Sequence, residues 1–213
     1  MSLRINEIFH SIQGESTRAG YPCTFVRLAE CNLRCGYCDT AYAFHEGEEM
    51  TQEAVIETVR RAGCPFVTIT GGEPLLQQAV HPLITKLLDE GFDVQVETSG
   101  AIDITPVDRR ARVILDVKTP GSGMMERMDW DNVGRLRPGD EVKFVLTGRE
   151  DYVWVRDAIR TLGIPGGIPL LLSPSHGVLD PADLAEWMKE DHLDARLHLQ
   201  IHKYIWDPGR RGV

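Results

Sequence analysis

Short β-branched runs alternate along this chain with stretches whose apolar residues recur every three or four positions. The runs predict strands at 22–30, 65–70, 92–97, 112–118, 141–147, 168–173 and 196–202, with only a short connection between the third and fourth. The amphipathic stretches predict helices at 51–63, 81–91, 151–163 and 180–194. Thr51 suits the N-cap of the first helix, Val55, Val59 and Ala62 share one face, and Gly63 closes it. The second turns Leu83, Leu87 and Leu88 inward and stops at Gly91; the third ends at Gly163. Asp180 caps the fourth, with Pro181 at its first position and Asp183 in its acidic first turn. Residues 119–140, rich in Gly, Met and Asp, carry no period and predict irregular backbone.

Strand–helix alternation implies a parallel α/β sheet built from right-handed crossovers. Six or seven units are too few for an eight-stranded barrel but suit an open, partial one. No linker, low-complexity tract or repeat interrupts residues 1–213, which predicts a single domain. In such folds the active site sits at the carboxyl ends of the strands.

Charge narrows the function. A formal net charge of −9 opposes the basic patch a duplex nucleic-acid binder needs, although one or two placed arginines still serve a small anionic substrate. No run of 18 apolar residues predicts a membrane span. The N-terminal MSLRINEIFHSIQ has no apolar core of a secretory signal, so a cytoplasmic location is expected. Five cysteines, an odd number with three clustered, point to metal or redox chemistry rather than a disulfide scaffold.

Small and polar residues collect after the strands: CNLRCGYCDT at 31–40, GGEP at 71–74, TSG at 98–100, TPGSG at 119–123 and PSHG at 174–177. There bare backbone can approach a ligand closely. Cys31, Cys35 and Cys38 are spaced C-x3-C-x2-C. One reading is structural zinc, with His45 or Cys64 as fourth ligand. The other is a [4Fe–4S] cluster held at three irons, its fourth iron open to the amino and carboxylate groups of S-adenosylmethionine.

That spacing, with Tyr37 before the last cysteine and GGEP after the next strand, resembles the radical S-adenosylmethionine superfamily. The resemblance implies a partial (β/α)6 TIM-like barrel, reduced in size, and reductive cleavage of the sulfonium to a 5′-deoxyadenosyl radical that abstracts hydrogen from a substrate. EIFHSIQGEST at 7–17, CNLRCGYCDT and HKYIWDPGRRGV at 202–213 further resemble the 7-carboxy-7-deazaguanine synthase family across nearly the whole chain. Members are lyases that contract 6-carboxy-5,6,7,8-tetrahydropterin to 7-carboxy-7-deazaguanine with loss of ammonia, on the route to queuosine and related 7-deazapurines, and depend on Mg2+. Ser16 departs from the pattern, where glycine is expected after QGE.

Carried over, the resemblance makes Cys31, Cys35 and Cys38 the cluster ligands. Tyr37, Cys38, Asp39 and Gly72 become S-adenosylmethionine contacts, joined by Ser99, Asp116, Lys118 and Ser173. Ile12, Gln13, Gly14 and Glu15 form an N-terminal substrate loop, and Arg27 suits the substrate carboxylate because guanidinium matches it bidentately. Thr70 and His202 are further substrate contacts, Val213 brings a C-terminal tail over the site, and Thr40 offers an oxygen to Mg2+. A flavodoxin- or ferredoxin-like electron donor and a homodimer are also implied.

Plainer readings stand beside these. Thr40 also suits a turn hydroxyl bonding nearby backbone, Arg27 an outward ion pair, and Glu73 a brace for its loop. His10, His81, His176, His192 and His198 read as surface or packing residues, Cys23 and Cys64 as inert buried thiols. A radical S-adenosylmethionine activase, which places a glycyl radical on a partner protein, and a zinc-stabilised binding module are the competing functions.

Overall fold

The computed structural model describes residues 2–213. In chain order its elements are β1 (Ser2–Ile12), β2 (Pro22–Leu28), β3 (Glu48–Thr51), α1 (Gln52–Ala62), β4 (Phe66–Gly71), α2 (Val80–Asp89), β5 (Asp93–Thr98), β6 (Arg112–Val117), α3 (Asp131–Arg135), β7 (Glu141–Leu146), α4 (Arg149–Thr161), β8 (Leu170–Pro174), α5 (Pro181–Glu190), β9 (Arg196–Leu197) and α6 (His202–Ile205). All nine strands join one sheet in the order β3-β1-β2-β4-β5-β6-β7-β8-β9. From β2 to β9 neighbours are parallel, while β1 runs antiparallel to both β2 and β3. The end strands β3 and β9 do not pair with each other, so the curved sheet stays an open, partial (β/α)6 barrel.

Alternation along each parallel strand sorts side chains between two environments. Val26, Leu28, Val67, Ile69, Val94, Val96, Val113, Leu115, Val142, Phe144 and Leu146 form the main core with the inner faces of the helices. Leu83, Ile84 and Leu87 of α2 and Tyr152 and Val155 of α4 complete it, all fully buried. The other parity carries Arg27, Thr70, Glu97, Ile114, Asp116, Lys143 and Val145, which line a cavity. Polar residues thus recur at the positions that face the barrel's interior.

The helix signals act where the pattern placed them. The Thr51 hydroxyl accepts from the Ala54 amide, and Gly63 closes α1 at φ 70. Asp180 accepts from the Ala182 amide at the start of α5.

The structure differs from the sequence pattern in four places. β1 and β3 carry no clear pattern because most of their side chains are half-buried or exposed; pairing on one side with β2 and on the other with the more distant β3 makes β1 a strand. The strand expected over 196–202 is only Arg196–Leu197. Pairing ends once the His198 amide donates to the Leu172 carbonyl, and the chain leaves the sheet for α6. The irregular 119–140 stretch contains α3, whose buried Asn132 donates to the carbonyls of Gly100 and Ile102 and accepts from the Ile104 amide. That asparagine organises the long helix-free connection from β5 to β6, where a short one was expected.

Candidate active site

One cavity of about 280 Å³ opens at the carboxyl ends of the strands and touches loops from nearly every unit. Its first wall is the loop after β2. Cys31, Cys35 and Cys38 are free, half-buried, and all line the cavity. The loop is held rather than hanging: the Gly36 amide donates to the Ser122 carbonyl, the Arg34 amide to Met124 Sδ, and buried Leu33 anchors its middle. Burial pushes all three thiols above their ordinary value, and Lys118 works against that shift. Among the described residues no three His, Cys, Asp or Glu side chains converge on a single ion. Cys64 packs instead with Cys23, Phe25 and Phe66, and neither it nor His45 lines the cavity. The thiols therefore suit a multi-iron cluster better than one zinc.

GGEP packs against this loop. A Cβ on Gly72 would lie 2.1 Å from the Glu30 carbonyl oxygen and 2.7 Å from Cys31 Cβ, so only glycine permits the approach. Glu73 has no exposed surface and braces two loops. Its carboxylate accepts from the Leu75 amide (3.0 Å), the Thr98 hydroxyl (2.9 Å), and the Ser99 amide and hydroxyl (2.7 and 2.5 Å). Burial raises its pKa, and those donors oppose the rise. The loop-bracing reading of Glu73 thus matches its contacts.

Beside the thiols stand Tyr37, Asp116 and Lys118. Lys118 Nζ lies 3.1 Å from Asp116 Oδ2 and 5.8 Å from the centre of the Tyr37 ring. The Tyr37 hydroxyl and Asp116 Oδ1 are buried without a hydrogen-bond partner, although both side chains border the cavity. Unpaired buried polar atoms are costly, and a polar ligand alongside would satisfy them. With the glycine cradle and three thiols, these donors and acceptors fit a [4Fe–4S] cluster carrying S-adenosylmethionine.

Residues 12–15 add a further part of the lining. Gln13 donates to the Thr68 hydroxyl and to Glu97, and Glu15 reaches Lys143 Nζ at 2.6 Å while accepting from Gln200 at 2.6 Å. Burial alone would raise the Glu15 carboxyl, but Lys143, His198 and these hydrogen bonds hold it well below the usual carboxylate range. Glu97 moves the other way, through burial and the neighbouring charge of Glu15. Ser16 sits at φ 67, a region that favours glycine. Its hydroxyl offsets the strain by bonding Gln95 Oε1 and accepting from the Arg18 amide. Gly14 lets His202 close in, since a Cβ there would meet His202 Nδ1 at 1.9 Å.

Arg27 faces inward rather than out to solvent. Its Nε donates to Glu7 Oε1 at 2.8 Å, and among the described residues neither Nη group has a hydrogen-bond partner. The Thr40 hydroxyl bonds no backbone; it donates to Asp39 Oδ1 at 2.9 Å, while Lys203 donates to Asp39 Oδ2 at 2.5 Å. Of the candidates read from sequence, Ile12, Gln13, Gly14, Glu15, Arg27, Cys31, Cys35, Tyr37, Cys38, Asp39, Thr40, Thr70, Gly72, Ser99, Asp116, Lys118, His202 and Val213 all border the cavity. Ser173 does not: it pairs in register with Val145 but lies buried in β8, and Ser175, nearer the strand's end, takes the cavity position. His176, read as a packing residue, also borders the cavity. Lys143, Glu97, Gln200 and Lys203 were not singled out. For Lys143 and Glu97 the signal was present: a parallel strand covered on both faces should be apolar throughout, so the charges in EVKFVL and VQVE mark an interior lumen.

Comparison with known proteins points the same way. The Radical SAM superfamily matches over residues 27–121. The 7-carboxy-7-deazaguanine synthase of Chlorobaculum tepidum is 44% identical over 99% of this chain and 97% of its own. That of Koribacter versatilis is 41% identical over 99% of this chain and 100% of its own. In architecture, the crystal structure of QueE from Escherichia coli superposes with a TM-score of 0.73 at 24% identity, covering 93% of this chain and 94% of that one.

Proposed function

Because the chain belongs to the 7-carboxy-7-deazaguanine synthase family, at 44% identity over 99% of its length, we propose how its cavity performs that family's reaction. The protein is a radical S-adenosylmethionine lyase that contracts 6-carboxy-5,6,7,8-tetrahydropterin to 7-carboxy-7-deazaguanine with loss of ammonia. The observation that carries the reading is one cavity lined both by three cysteine thiols and by Arg27, Glu15 and His202.

Cys31, Cys35 and Cys38 would hold the [4Fe–4S] cluster, and Gly72, Tyr37, Asp116 and Lys118 would hold S-adenosylmethionine. When bound, this pair supplies the one-electron chemistry that takes a hydrogen atom from the substrate. The chain's own residues bind and aim. Arg27, its Nε occupied by Glu7, presents the remaining fork to the pterin carboxylate. Glu15, kept ionised by Lys143, accepts from the N–H groups of the ring, and Thr70, Gln13 and His202 complete its outline. Such fixed geometry turns hydrogen transfer into a local event.

Thr40 offers a single hydroxyl oxygen, too sparse a set for a resident ion. It suits a Mg2+ that arrives with substrate oxygens and keeps several waters. A second copy of this chain, forming a homodimer, and a flavodoxin- or ferredoxin-like donor complete the proposed working system. No helix among the described residues is long and apolar enough to cross a membrane.

The test is anaerobic turnover of iron- and sulfide-reconstituted protein with S-adenosylmethionine, dithionite and the pterin, read by mass spectrometry and repeated across Mg2+ concentrations with Thr40→Val. Product with the deazaguanine mass and released ammonia is expected, with Mg2+ stimulation mostly lost in Thr40→Val. Cleavage of S-adenosylmethionine without pterin consumption would overturn the substrate; equal Mg2+ response in Thr40→Val would remove Thr40 from the metal.

A further inference from the structure

Residues 207–213 end beside the cavity, with Val213 in its wall. Two local hydrogen bonds shape the segment: the Arg210 amide donates to the Asp207 carbonyl, and the Gly209 amide to the Asp207 side chain at Oδ1. Neither ties the segment to the barrel. Among the described residues, the hydrogen bonds and ion pairs from 207–213 to the rest of the chain reduce to one side chain, Arg211. Its Nη1 lies 2.8 Å from Glu46 Oε2, and its guanidinium stacks 3.7 Å from the centre of the Tyr42 ring.

Tyr42 continues the connection inward. It lies on the 3-10 turn Ala41–Phe44, immediately after Thr40. Its hydroxyl donates at 2.9 Å to Glu7 Oε1, the same oxygen that accepts from Arg27 Nε at 2.8 Å. Burial pushes the Tyr42 phenol up to about 12, so it remains a donor at any physiological pH. Tail, aromatic ring, carboxylate and substrate arginine therefore form one unbroken series of contacts.

We infer that Arg211 and Tyr42 are positioning residues for the substrate: Arg211 stacked on Tyr42 seats segment 207–213 at the cavity mouth, and the Tyr42 hydroxyl, through Glu7, sets the orientation in which Arg27 grips the pterin carboxylate. This rests on the assignment of Arg27 to that carboxylate. Its consequence is reciprocal: a seated tail tightens pterin binding, and bound pterin protects the tail, by the same factor.

The experiment uses cluster-loaded enzyme and reads two quantities, hydrogen–deuterium exchange over residues 206–213 and KM for pterin beside KM for S-adenosylmethionine. Arg211→Ala should speed exchange in the tail and raise the pterin KM about three- to tenfold, the loss expected when an exposed ion pair and a cation–π stack go together, with the S-adenosylmethionine KM unmoved. Arg211→Lys keeps the charge for Glu46 but not the flat stack, and should fall between. Tyr42→Phe keeps the ring beneath Arg211 and drops the hydroxyl, so it should raise the pterin KM while the tail stays as protected as in the parent. Parent-like exchange in Arg211→Ala would overturn the seating; a parent-like pterin KM in Tyr42→Phe would overturn the coupling. Failure of the underlying assignment reads differently: Arg27→Ala would then keep the parent's pterin KM, even with Arg211→Ala loosening the tail.

Discussion

Lys143 shows how one side chain sets the chemistry of its neighbours. Its ammonium sits between Glu15 (2.6 Å) and Asp116 (3.3 Å), and Asp116 is shared with Lys118. Charges thus alternate through the lumen from Glu15 to Lys118. A carboxyl held below its unfolded value, as Glu15 is, adds stability above the unfolded pKa of about 4.3 and loses it as pH falls. Lys143→Met removes the chief opposing charge, so burial raises Glu15 instead and the sign reverses: the ionised form then destabilises. Breaking such a pair costs about 3–5 kcal/mol at neutral pH, and part should return on acidification. Between about pH 5 and 8 the parent's pterin affinity should show no step from Glu15, whereas in Lys143→Met it should fall as pH drops through the raised Glu15 value. Denaturant unfolding and pterin binding at both ends of that range test this; a flat affinity profile in the variant would show that Glu15 ionisation does not matter to the substrate.

Loops after strands depend on each other more than on their own strands. GGEP after β4 and TSG after β5 share Glu73, which takes both Ser99 donors and the Thr98 hydroxyl while capping its own turn. Glu73→Gln keeps the size but offers one acceptor and an amide N–H₂ that faces donors. At least one hydrogen bond to a charged group is lost and a buried donor is left unpaired, about 3 kcal/mol. In a chain of this length that lowers Tm by roughly 6–12 °C. S-adenosylmethionine binding should weaken too, because Gly72 and Ser99 are held by this brace. Calorimetry beside ligand binding checks both, and an unchanged Tm would mean the brace is dispensable.

Across the full chain, the cofactor site ties together loops from both halves of the barrel, so its ligands should stabilise the fold globally. A ligand that binds only the folded state at about a hundred times its Kd adds about 2.7 kcal/mol, or roughly 5–11 °C in Tm for this length. Reconstituted protein should show that rise with S-adenosylmethionine under anaerobic conditions. Cys35→Ala, which cannot complete the cluster, should show little of it, while Cys23→Ala and Cys64→Ala, away from the cavity in their own small cluster, should respond as the parent does. A full shift in Cys35→Ala would place the ligand elsewhere.

Local chemistry was legible in the sequence wherever neighbouring residues suffice to determine structure. The caps at Thr51 and Asp180, the stop at Gly63 and the order of strands and helices follow from short-range sterics and amphipathic period. The thiol loop and GGEP were legible too, because their spacing is itself the chemical requirement. Only the tertiary structure decided what depends on partners far along the chain. β1 is a strand because β3, some forty residues on, pairs along its other edge from β2, and the run after Leu197 leaves the sheet because only β8 borders it there. Glu73 is a brace because Ser99 comes to it from another loop. Lys143 and Gln200 reach Glu15 from more than a hundred residues away, and Arg211 finds Tyr42 only once the barrel has brought its two ends together. Each of these is set by which surfaces burial forces into contact, and no local window of sequence carries that information.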